Sequence, residues 1–204
     1  KRQTKSSTMA NFPLAYRAAW LPHLIRPTLA GSRAGFAPAA AELIEPPKQV
    51  VRLAFIGDIS AVANRSAPKV DPALRKLLGS ADLIVGNCES PVVRKPRHTT
   101  RFGTRHAMTR DFLADALDAA GIEREALILS LANNHALDQE ADGFEETPEA
   151  LDGLGIGVAG AAARGPATMV SVGNLTVGLL AATLWRNRSA KEFAGRVTML
   201  QDIA

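Results

Sequence analysis

Three short polar clusters carry residue types that can do chemistry: Gly57-Asp58, Asn87-Cys88-Glu89 and Asn133-Asn134-His135. Together they offer two carboxylates, three amides and one imidazole. An oxygen-rich set with one nitrogen donor suits a divalent cation (Mn²⁺, Mg²⁺, Zn²⁺ or Fe²⁺) and is unsuited to soft thiolate metals. A cation in such a set polarises a phosphoryl or acyl oxygen and lowers the pKa of water. His135 offers a general acid or an anion clamp as well. Taken singly, each cluster also has a plain structural reading. Asp58 caps a turn, Glu89 is a solvated loop acid before Ser90-Pro91, and Asn133-Asn134 are turn residues.

The elements that must position these clusters can be read from the apolar pattern. Val50 to Ile56 reads as a buried strand that ends at Gly57-Asp58, and Asp82 to Gly86 as a second that ends at Asn87. Ala126 to Leu131 is a third, ending at Asn133. Between them, Asp71 to Leu78 suits a short helix with Asp71 as N-cap and Pro72 in its first turn. Thr109 or Arg110 to Ala120 is a helix stopped by Gly121. Thr147 to Leu154 reads as a helix with Pro148 at its first position. Gly157 to Gly160 is short and extended, and Thr168 to Val172 with Leu175 to Ala181 form a hairpin about Gly173-Asn174. Alternating strands and helices imply an α/β domain with a largely parallel sheet. In such sheets ligand sites lie beyond the carboxyl ends of the strands, so clusters distant in sequence converge there.

Charge divides the chain. Residues 1–50 hold seven basic side chains against Glu42 and Glu45, a balance of +5. The remaining 154 residues balance to −1, within a total of +4. The high pI therefore belongs to a basic, Pro-containing extension over 1–49, read as flexible or surface-draped, and the domain begins at residue 50. Nucleic-acid binding by that domain is not expected, and one Tyr and two Trp leave few rings for stacking on bases. No apolar window is long and clean enough for a transmembrane span or a clear signal peptide, which makes the cytoplasm the default. One cysteine excludes an internal disulfide and a cysteine zinc cluster.

The run Ala132-Asn133-Asn134-His135-Ala136-Leu137-Asp138 resembles a known family. With Phe55-Ile56-Gly57-Asp58, Ala81-Asp82 through Asn87-Cys88-Glu89, and Gly143, Thr147, Leu151 and Gly155-Ile156 in order, it is similar to the CapA-type poly-γ-glutamate capsule-synthesis proteins. Their domain resembles the calcineurin-like metallophosphoesterases. The resemblance covers about residues 50–185. It implies the N-terminal half of a metallophosphoesterase-like α/β/β/α sandwich and a metal-dependent hydrolase site in capsule or poly-γ-glutamate biosynthesis. Asp58, Glu89 and Asn134 are implied as metal ligands, with Asn87 beside Glu89. His135 is implied as the histidine that contacts a scissile phosphate or protonates the leaving group. Asn133 and Asp138 are expected to shape the turn and hold His135. The family also implies association with the cell envelope.

There are departures. Cys88 stands where the family has Leu, which reads as a small buried hydrophobe. The family's later His-Trp-Gly and Gly-His-His-Pro-His motifs do not occur in these 204 residues. His98 and His106, in the basic loop, look like poor substitutes. The expectation is an incomplete domain over 50–204, a half-built site, and little phosphoesterase activity from this chain alone. A dimer or second chain is expected to complete the fold. The alternative is a non-catalytic scaffold or polyanion-binding subunit of an envelope polymer complex. Arg94, Lys95, Arg97, Arg101 and Arg105 form a basic loop that could draw an anionic polymer or phosphorylated substrate, although such charge runs are usually solvated.

Overall fold

A computed structural model describes residue 18 and residues 50–61, 64, 66–97 and 105–203. The chain divides into two compact units, and the fold below is that of the unit that takes up from Val51. The extension over 1–49, His98 and Arg101 lie outside the described residues, apart from Ala18.

Four parallel strands form one sheet in the order β1 (Leu53–Ile59), β2 (Leu83–Cys88), β3 (Leu127–Ser130) and β4 (Gly157–Ala159). Each step between neighbours is a helical crossover: α1 (Pro72–Leu78), α2 (Arg110–Ala120) and α3 (Glu140–Asp152). Strand order therefore follows sequence order. The helices cover one face, where Ile84, Leu113, Leu117, Leu127, Leu129, Leu137 and Leu151 are almost fully buried. Each such side chain contributes about 1.5–3 kcal/mol by leaving water. On the other face, Leu83 and Ile128 pack with Ala159 and Val172, where the antiparallel hairpin β5 (Ala167–Val172) and β6 (Leu175–Leu180) begins to cover the sheet. The architecture is an α/β fold with a four-strand parallel sheet flanked by helices, consistent with a metallophosphoesterase-like fold.

The helix ends follow local chemistry. Asp71 accepts from Ala73 N at 2.8 Å, with Pro72 behind it. Thr109 accepts from Phe112 N at 3.2 Å, and Gly121 closes α2 at φ 66°. Two elements differ from the sequence reading. Helix α3 begins at Glu140 rather than Thr147 and carries Pro148 in its interior. Proline there removes one backbone bond. Side-chain bonds hold the segment regardless: buried Thr147 donates to Gly143 O one turn back at 2.8 Å and accepts from Val92 N, distant in sequence, at 3.1 Å.

Strand β1 is the second difference. It runs on through Gly57 and Asp58 to Ile59, and it is an edge strand, with Leu53 exposed and Phe55 71% exposed. Its register shifts between Phe55 and Asp58: Leu53 and Phe55 face Leu83 and Val85, then Asp58 faces Asn87. In a regular strand, residues three apart point to opposite faces. The bulge spends one extra residue and so turns Asp58 to the same face as Asn87.

Candidate metal centre

The carboxyl ends of β1, β2 and β3 bring the sequence clusters together. Asn87 is the hinge between them. Its Nδ2 donates to Asp58 Oδ1 at 2.8 Å and to Glu89 Oε2 at 2.7 Å, so one amide group restrains both carboxylates. Its Oδ1 accepts from Asn133 Nδ2 at 3.0 Å, and that same nitrogen donates to the Cys88 carbonyl at 2.9 Å. Donors on one side and an acceptor on the other fix which way the Asn87 amide points.

The turn after β3 is wired through its own side chains. Asn133 Oδ1 accepts from His135 N at 2.9 Å, and His135 Nδ1 lies 2.7 Å from Asp138 Oδ2. Both Asn133 and Asp138 are buried. A carboxylate on Nδ1 fixes the tautomer and turns Nε2 outward as the working atom. That Nε2 lies 3.6 Å from Glu89 Oε1. Asn134 sits beside the cluster, its Nδ2 donating to Asn187 Oδ1 at 3.2 Å, while Asn187 N donates to the Asn134 carbonyl.

His106 belongs to this group, contrary to the reading of it as a poor substitute. Its ring stacks on that of His135 with centroids 3.8 Å apart and planes 14° from parallel. Its backbone N donates to Asp138 Oδ2 at 2.8 Å, and its Nδ1 lies 3.2 Å from Ser60 Oγ. The sequence hid this residue because its neighbours belong to a basic loop and no local motif marks it. Asn187 was missed for the same reason; it follows β6 with no spacing signal.

One donor atom from each of Glu89, His106 and His135 lies within 4.8 Å of the others. Tetrahedral ligands about 2.1 Å from one ion stand about 3.4 Å apart, so the three donors would have to draw together by up to roughly 1.4 Å to share it. The donor chemistry thus fits a divalent metal.

Burial and mutual charge both act on the titratable groups of this cluster. Burial raises the Glu89 carboxyl above its ordinary value, helped by Asp58 and Asp138, against the opposing pull of His135 and the Asn87 amide. His106 is lowered, first by burial and then by the His135 charge. Burial is the largest single influence on His135 and would lower it, but the Asp138 hydrogen bond and the surrounding acids together raise it. Cys88 is buried, and burial with the Glu89 charge pushes its thiol up to about 12, which leaves it a packing residue.

The basic loop is largely paired. Arg94 lies 3.6 Å from Glu146, Arg97 2.7 Å from Glu140 and Arg105 3.6 Å from Glu140, while Lys95 is exposed. No helix among the described residues is long and apolar enough to cross a membrane.

A parallel sheet with acids, amides and imidazoles gathered at its carboxyl edge makes this an α/β domain with a candidate metal centre. The chain matches the family described as bacterial capsule synthesis protein PGA_cap over residues 52–201 and belongs to that family. No curated protein matches it.

Proposed function

We propose that this domain carries a metal-dependent hydrolase site used in the making or trimming of a capsule polymer such as poly-γ-glutamate. The observation that carries this reading is the convergence of Glu89, His106 and His135 from three separate segments. Glu89, His106 and His135 hold the cation, and Asp58 and Asn134 stand next to them as further oxygen donors. When bound, a divalent ion supplies Lewis-acid polarisation of a phosphoryl or acyl oxygen. The second imidazole shifts the preference from Mg²⁺ towards Zn²⁺, Mn²⁺ or Fe²⁺. Asp138 orients His135, and Asn87 keeps the two carboxylates from spreading apart.

The test is elemental analysis with isothermal titration of Zn²⁺ and Mn²⁺ into metal-free protein, followed by hydrolysis of an aryl phosphate. Binding is expected in the wild type and is expected to fall in Glu89→Gln, His106→Ala and Asp58→Ala. Equal binding by all four proteins would overturn the reading.

One observation favours a different role for His135. Burial would lower its pKa, but the Asp138 hydrogen bond and the surrounding acids raise it, so it holds a proton opposite Glu89 to higher pH than a free histidine does. As a proton donor to the leaving group, it gives a His135→Ala variant that keeps its metal but loses turnover. The non-catalytic polyanion-binding reading draws on Lys95 and the arginines near it. Ion pairing of Arg94, Arg97 and Arg105 with Glu146 and Glu140 leaves that reading less net charge to work with.

A further inference from the structure

Among the described residues, His106 stands outside any helix or strand, so contacts from elsewhere must seat it. Three consecutive residues after the His135 turn make the contacts. Asp138 Oδ2 accepts from His106 N at 2.8 Å. The Gln139 side chain, 3% exposed, lies between Arg97 on one side and His106 on the other. Its Oε1 accepts from Arg97 N at 2.8 Å, and its Nε2 donates to Arg97 O at 3.0 Å and to His106 O at 3.1 Å. A buried amide here pairs with backbone much as a strand would. Glu140 then takes Arg97 at 2.7 Å and Arg105 at 3.6 Å, one residue from each side.

The backbone is shaped for this. Glu140 has φ 66°, the one described non-glycine residue in the left-handed region. Such a conformation is strained for a residue with a Cβ and persists where surrounding contacts enforce it. Gly143 supplies the room: a Cβ there would meet Gln139 Cβ at 2.3 Å. The ion pairs of Glu140 are exposed and add a smaller but shared hold on both sides, and the buried amide is the stronger fastening.

We propose that Gln139, with Glu140, is a positioning residue that docks Arg97 on one side and Arg105 and His106 on the other, and thereby delivers His106 to the cation. The proposal rests on the metal-site reading above, and its test has one arm that does not. In the metal-free arm, trypsin cleavage after Arg97, Arg101 and Arg105 is followed by mass spectrometry. In the metal arm, Zn²⁺ affinity is titrated in wild type, Gln139→Leu, His106→Ala and the double variant.

Gln139→Leu is expected to speed cleavage severalfold and to weaken Zn²⁺ about tenfold, the usual cost of losing a ligand's support. In the His106→Ala background, Gln139→Leu is expected to change Zn²⁺ affinity no further. Glu140→Gly covers the case in which Gln139→Leu fails to fold. Glycine accepts the left-handed backbone, so its Tm is expected to hold or rise while cleavage at the segment still accelerates. Unchanged cleavage in Gln139→Leu and Glu140→Gly would overturn the dock. A full further loss of Zn²⁺ affinity in the His106→Ala background would overturn its action through His106. If wild type takes up no Zn²⁺, the metal reading and the delivery of His106 to a cation both fail, while the trypsin arm still decides whether the dock exists.

Discussion

At the end of β3, Asn133, His135 and Asp138 are tied to one another and to β2 and the His106 segment by short hydrogen bonds, with Asn133 and Asp138 buried. At the end of β1, Asp58 is exposed on an edge strand and is held by the Asn87 amide. One side of the site is fixed in advance by the fold, and the other is left adjustable. Preorganised donors need little rearrangement on binding, whereas an exposed carboxylate can move to meet an incoming charge. On the proposed metal-site reading, stability belongs to the β3 side and ligand chemistry without much stability to the β1 side.

Substitutions should separate the two sides. Asp138→Ala removes the acceptor of both His135 Nδ1 and His106 N, and a loss of about 3 kcal/mol is expected in chemical denaturation. Asn133→Ala strips one amide from three bonds and should cost about 2 kcal/mol by the same measurement. A loss under about 0.5 kcal/mol from either would erase the contrast.

The stacked histidines give a pH signature in metal-free protein. His135 has a folded pKa above 6.5, so its contribution to stability is full below 6.5 and is lost as pH rises through the folded value. His106 has a folded pKa below 6.5, so its contribution is present above 6.5 and is lost as pH falls through the folded value. Stability scanned over about pH 5 to 8 should lose its downward slope on the alkaline side in His135→Gln and lose its acid-side drop in His106→Gln. Identical profiles for the two variants would remove the assigned asymmetry.

Asp58→Ala is expected to change stability by less than about 0.5 kcal/mol while weakening the cation, which sets it apart from Asp138→Ala. The smallest effect on stability is expected at Phe55→Lys, since that ring is 71% exposed. Its readout is sedimentation: the exposed edge strand is expected to promote self-association, and the lysine to reduce it.

Much of this was legible before the structure. Strand ends could be marked because apolar runs stop abruptly at polar residues, and the convergence of Asp58, Asn87, Glu89, Asn133 and His135 followed from parallel α/β geometry, while Asp138 entered only through the family resemblance. The extent of β1 was not legible, because Gly57-Asp58 reads locally as a turn; pairing with β2 through a bulge overrides that signal. Pro148 pointed to a helix start, yet Thr147 is fastened to Val92 in the helix interior. His106 and Gln139 were invisible for a common reason. Their contacts join residues 33 positions apart, and nothing in the local sequence of either residue encodes the other.

The crossover sheet has a consequence for folding order. The Asn87–Asp58 bond spans 29 residues and the Asn133–Asn87 bond spans 46, with no hairpin between these strands to close either loop cheaply. Topologies dominated by such distant pairings fold slowly. Asp58, Asn87 and Asn133 come from or directly follow three different strands, so the full set exists only once β1, β2 and β3 are in register. Cation uptake followed in time during refolding would then report the last step of assembly, lagging behind the formation of helix.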